Sequence, residues 1–245
     1  MEVGDEEDAH GAPAWCKEAR QSPLAARSLT NRRVDGRGFG AIIARVESLC
    51  DVIDDRVSLR ERLLFVPDDV PRVAWFGRLA AFGLMLLWGV SIVFGRMTDT
   101  PTVLHLTVIL FHEAGHVVFM PFGEALHVAG GTLGQLLIPL ACAVALHRRD
   151  DNFGAAMCAA WLALSLIDAA VYAYDAFDPV LPLIGGGTGA DSFHDFIFLF
   201  ERYGQLAHAR GWAMAMKALG AIGLLASLVW AAVLLFLQSE RLEQR

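Results

Sequence analysis

Charge is scarce over most of this sequence. Charged residues make up 19% of the 245 positions, and they crowd into residues 1–73. From Val73 onward long apolar runs dominate. Positive charge is scarcer still, with 20 Lys and Arg against 27 Asp and Glu. Five of the acids fall in the first eight residues, so the net charge of −7 says little about the rest. No basic stripe is present, which argues against a nucleic-acid partner. Paired cysteines are also missing. Cys16, Cys50, Cys142 and Cys158 form no C-x-x-C, and two of them lie in apolar runs. That spacing points to small buried hydrophobes or free thiols rather than to a disulfide frame or a thiolate metal site. The acidic N-terminus lacks the basic and apolar regions of a signal peptide. The first apolar run is therefore expected to serve as its own insertion signal. No internal repeat is visible.

Apolar residues make up 55% of the chain and the mean hydropathy is +0.45, above the usual share of a soluble domain. The expected fold is an all-α membrane protein of about five transmembrane helices, preceded by a soluble, partly disordered arm. The arm covers residues 1–73. Within it, 1–37 is acidic and then rich in Ser, Pro, Gly and Arg without apolar periodicity, the composition of disorder. Over 39–64, Ile42, Val46, Leu49, Ile53 and Val57 recur at three- and four-residue spacing, which predicts one amphipathic helix. Val66-Pro67-Asp68-Asp69-Val70-Pro71 ends it.

The membrane domain is expected over 74–237, with a tail over 238–245. Its spans read as 74–94, 103–122, 128–146, 153–173 and 212–237. Each approaches the roughly 20 residues that cross a bilayer core of about 30 Å. Only Gly123-Glu124-Ala125-Leu126-His127 joins spans two and three, so these form a tight antiparallel pair. Arg56, Arg60, Arg62 and Arg72 precede span one and only Arg96 follows it closely, which favours a cytoplasmic N-terminus. If every span crosses, the ends of spans two and four, the connection 175–211 and the N-terminal arm share one side.

Span two carries His112-Glu113-Ala114-Gly115-His116, an H-E-x-x-H motif. On a helix, residues four apart differ by about 40° and about 6 Å of rise, so both imidazoles can grip one ion from one face. Glu113 then faces the open side of the ion, where it can take a proton from bound water. Ionisable groups inside a span are costly and mark function by default. Catalytic zinc sites use three protein ligands, so a third is required. His194 leads the candidates, with Asp175, Asp168 and Asp195 as alternatives; a carboxylate left over would orient an imidazole. Asp195 and Gln135 are candidates for substrate contact or for support of the ligands, and Gln135 can equally join two helices. His105 lies about 10 Å along the helix from His112, too far to share the ion. Glu124 and His127 form a second E-x-x-H, which opens a di-metal alternative.

His112-Glu113-Ala114-Gly115-His116 on a membrane span, followed by a Gly-rich hairpin, resembles the site-2 protease family of intramembrane zinc metalloproteases. The resemblance covers roughly residues 102–200. It implies one zinc ion held by His112 and His116, Glu113 as base, and hydrolysis of peptide bonds in membrane-associated proteins. That family takes its third ligand from an aspartate in an N-x-x-P…L-D-G motif, which this sequence lacks. Span four offers Ser165-Leu166-Ile167-Asp168-Ala169 and Tyr172-Ala173-Tyr174-Asp175-Ala176 instead. The chain is also similar to a bacterial group with an HEAGH–GG–Q–HD arrangement, in which His194 and Asp195 belong to the site. The expected setting is a bacterial cytoplasmic membrane, and the expected partners are the bilayer and a protein or peptide substrate. The alternative reading is a membrane protein that binds metal for structure, sensing or transport.

Overall fold

A backbone inside hydrocarbon must satisfy its own N–H and C=O groups, and a helix does this within one segment. The computed structural model describes residues 60–67, 70–98, 103–183 and 186–244, and these contain helices and no strand. The chain divides into two compact units, 1–65 and 66–245. In the first unit only residues 60–65 are described, and 60–64 are helical. The disorder expected over 1–37 and nearly all of the amphipathic helix over 39–64 lie outside the described residues.

The second unit contains α1 (Arg72–Val93), α2 (Val103–Phe119), α3 (Glu124–His147), α4 (Asn152–Asp175), α5 (Asp195–Arg202) and α6 (Ala209–Glu243). Each boundary has a local cause. Pro71 is extended and stops α1 from starting earlier. A 3-10 turn with Pro at its start, Met120–Phe122, closes α2, and Gly123 at φ 98° turns the chain into α3. The Asp151 side chain accepts the Gly154 N–H and caps α4. The His194 ring caps α5 by accepting the Ile197 N–H.

Four helical stretches are long and apolar enough to cross a membrane: Arg72–Val93, Glu124–His147, Asn152–Asp175 and Leu206–Glu243. This is the pattern of an integral membrane protein. The fifth expected span falls short. At 17 described residues, about 25 Å, α2 is shorter than the four helices above and lies at the low end of the lengths that span a bilayer. Its third residue, His105, meets Asp168 at 3.2 Å. Asp168 lies seven residues, about 10 Å, before the end of α4. So α2 starts within the apolar layer, not at the face opposite the end of α4.

That start changes the topology. Arg78 near the start of α1 pairs with Asp151 in the α3–α4 turn at 3.3 Å, and Trp75 donates to the Leu235 carbonyl of α6. At the other end Lys217 of α6 donates to the Gly95 carbonyl just past α1. The start of α1 therefore lies at the end opposite the connection 176–194, not beside it as five crossings require. α4 is the most enclosed helix. Ala160, Ala163, Leu164 and Ile167 pack against Leu224 and Leu228 of α6 and Val108 of α2. Lipid is as apolar as leucine, so close packing of small residues, rather than escape from water, holds such helices together. Cys142 on α3 and Cys158 on α4 are free thiols.

Candidate metal centre

The centre is built first by a close helix crossing. A Cβ on Gly115 of α2 would collide with the Gly130 carbonyl of α3, so only glycine permits this approach. The crossing turns His112 and His116 toward α3 and toward the start of α5. Their rings lie 4.8 Å apart. Asp195, the first residue of α5, reaches both of them. Its Oδ2 is 2.9 Å from His112 Nε2 and 3.2 Å from His116 Nε2. His112 and Asp195 are buried and His116 is half-buried.

The proton positions follow from the neighbours. Gln135 donates its amide N–H to the Ser165 carbonyl at 3.0 Å, a pure acceptor, so its Oε1 is the atom facing His112 Nδ1 at 3.0 Å. His112 Nδ1 must therefore carry a proton. His116 Nδ1 donates to the His127 carbonyl at 2.8 Å, and His127 Nδ1 donates to the His116 carbonyl at 2.8 Å. When either ring is neutral, its proton sits on Nδ1 and Nε2 presents a lone pair. Two lone pairs thus face a carboxylate oxygen. Such a cluster needs a shared cation: a proton serves one pair, a metal serves all three.

The residues fit a metal. His112, His116 and Asp195 each offer a donor atom, all within 4.8 Å of one another, and the group can hold a metal ion. Tetrahedral zinc with bonds of about 2.0–2.1 Å sets its donors about 3.3 Å apart, close to both distances to Asp195. Gly131 of α3 keeps the space beside the donors clear, because a Cβ there would collide with His112 Nε2 and His116 Nε2.

The centre opens into a cavity of about 630 Å³, lined also by Glu113, Tyr172, Leu181, Pro182, Phe193 and Phe198. Glu113 is exposed to this space, beside the histidines and outside their cluster. The structure thus brings together His112, His116 and Asp195 and leaves the other candidates for third ligand elsewhere. His194 turns away from the histidines and faces Asp175, with Nε2 and Oδ2 3.6 Å apart. Burial pushes the His194 imidazole below its ordinary value, which keeps it neutral. Asp175 accepts the Val180 and Leu181 N–H groups through Oδ1. Asp168 is engaged by His105. Gln135 supports His112 and at the same time joins α2 to α4. Glu124 bonds Arg202 at 3.0 Å and His127 clamps His116, so neither joins the cluster, which leaves the di-metal alternative without ligands.

Two contributors escaped the sequence reading. Tyr172 accepts the Asp195 N–H at 3.2 Å and so holds the ligand's backbone. His127 uses its own carbonyl to fix the His116 tautomer, a role that the E-x-x-H spacing disguises as ligation. Compared with known proteins, the chain matches no family model, no curated protein and no solved structure.

Proposed function

We propose that the chain is an integral-membrane zinc metallopeptidase. The observation that carries this reading is the convergence of three possible metal donors, His112 Nε2, His116 Nε2 and Asp195 Oδ2, beside the exposed carboxylate of Glu113. Two imidazoles and one carboxylate, with a position left open to the cavity, form the donor set of a catalytic rather than a structural zinc site. Bound there, the metal supplies a water made acidic near neutral pH and a Lewis acid for the substrate carbonyl. Glu113, whose carboxylate lines the cavity, would serve as the base that takes a proton from the attacking water and as the acid that returns it to the departing amine. The cavity receives the substrate as an extended segment, because an intact helix hides the carbonyl that must be attacked. Such a substrate is a membrane-associated protein or peptide, unwound locally before it enters. Leu181, Pro182, Phe193 and Phe198 give the cavity an apolar wall suited to it. A metal held for structure, sensing or transport has no need of Glu113, and the carboxylate's place in the cavity favours hydrolysis.

The test uses the full chain purified in detergent. Metal content is measured, and cleavage is followed on a mixture of fluorogenic peptides. Wild type is expected to hold one zinc and to cleave. Glu113→Gln is expected to keep the zinc and to lose at least a hundredfold in rate, the lower end of the usual general-base contribution of about 10²–10⁴. A wild-type chain without metal, or a Glu113→Gln chain with full activity, overturns the proposal.

A further inference from the structure

Asp195 stands on a short helix at the end of a long connection, yet a metal ligand must be held to within about 0.5 Å. What holds it is a pair of buried groups that the chemistry does not use. The His194 and Asp175 side chains are 0% and 2% exposed. His194 Nδ1 accepts the Ile197 N–H at 3.3 Å, so the ring proton sits on Nε2. That proton faces Asp175 Oδ2 at 3.6 Å, and neither atom has another hydrogen-bond partner. Asp175 is fixed in turn through Oδ1 by the Val180 and Leu181 N–H groups, at 2.9 and 3.0 Å. Tyr172 covers the His194 ring at 4.0 Å between centroids, and its hydroxyl accepts the Asp195 N–H. On the other side Gly189 lies so close that a Cβ would come within 2.7 Å of His194 Cδ2.

We infer that Asp175 and His194 are positioning residues that aim the Asp195 carboxylate at the metal. The inference rests on the proposed metal site. Asp175, anchored at the end of α4, sets the ring; the ring caps α5; the capped first turn of α5 sets the direction of Asp195. Neither residue ligates. A buried carboxylate facing a buried imidazole costs more than an apolar pair of the same shape. Its retention beside a ligand is explained by the orientation it imposes, as supports of metal ligands commonly do.

The experiment titrates zinc into the apo full-length chain in detergent against a competing chelator, and records the visible spectrum of the cobalt(II)-loaded form. Asp175→Asn keeps an oxygen for the Val180 and Leu181 N–H groups. It turns an NH₂ toward the ring proton, so donor meets donor. Zinc affinity is expected to fall about ten- to a hundredfold, and the cobalt bands are expected to shift, with helical content unchanged. His194→Asn retains a cap acceptor for the Ile197 N–H but cannot reach Asp175. It is expected to show the same two effects, and it serves if Asp175→Asn does not fold. If wild type binds one zinc and both folded variants bind it equally well with an unchanged cobalt spectrum, the inference fails and the metal site stands. A variant that melts earlier but keeps the wild-type spectrum also overturns it. If wild type binds no zinc, the metal site itself fails, and the inference with it.

Discussion

At the scale of single residues, the centre depends on who holds each imidazole proton. Gln135 decides it for His112, because its amide N–H is committed to the Ser165 carbonyl. Gln135→Leu removes both bonds inside a buried site. The Nδ1–H and the carbonyl it leaves without partners cost about 1–3 kcal/mol each. Zinc affinity is expected to drop about ten- to a hundredfold, since His112 loses the acceptor that fixes its tautomer. Gln135→Glu offers an oxygen to Nδ1 but a second acceptor to Ser165, and is expected to recover only part of the affinity. Zinc titration of the two variants checks both outcomes. The sequence made His112, Glu113 and His116 legible because one helical turn sets their relation. Asp195 was not legible as the ligand, although it stood among the candidates. It lies 83 residues from His112, and whether it or His194 faces the histidines depends on where α5 begins. His194 is the extended cap, at φ −129° and ψ 118°, and Asp195 is the first helical residue. One residue of helix start exchanges their directions.

At the scale of elements, two glycines on facing helices, Gly115 and Gly131, have separate jobs. Gly115 sets how close α2 comes to α3, and its Cβ would meet fixed backbone. Gly131 clears the space in front of the two donor nitrogens, and the three atoms its Cβ would meet first belong to the His112 and His116 rings. Gly131→Ala is expected to abolish zinc binding while costing little stability in the metal-free chain. Gly115→Ala is expected to destabilise the fold by about 1–3 kcal/mol or more through overpacking, with loss of zinc as a consequence. Thermal unfolding of the apo proteins, read beside zinc content, separates the two. The Gly-rich hairpin was visible in the sequence as a tight pair of helices, and the structure keeps that pairing. Of the about five spans expected, four are long and apolar enough to cross among the described residues, and α2 is the shorter fifth helix. Apolar composition reports that α2 avoids water, but not the depth at which it starts. Its 17 residues are fewer than in the four longer helices, and Pro121 belongs to the 3-10 turn that follows.

At the scale of the whole molecule, removing one crossing reverses a conclusion about sides. With five crossings, Arg148 and Arg149 face away from Arg72, against the positive-inside rule. With α2 starting inside the apolar layer, the Arg78–Asp151 pair brings the α3–α4 turn to the start of α1. Arg72, Arg148 and Arg149 then share one end with Arg241 near the end of α6. That end is expected to be cytoplasmic, which places the metal centre, the connection 176–194 and α5 toward the other side. Single cysteines test this in a chain whose four native cysteines are replaced. Asp150→Cys and Glu243→Cys are expected to resist a membrane-impermeant thiol reagent in intact cells and to react once the membrane is opened. Arg202→Cys, on α5, is expected to react in intact cells. Labelling of all three from the same side would require an even number of crossings between the α3–α4 turn and the site, and would overturn the topology in which α4 alone separates them. The outcome also bears on the substrate. A centre that opens away from the cytoplasm receives segments from translocated parts of membrane proteins, and peptides added outside intact cells should then reach it without a carrier.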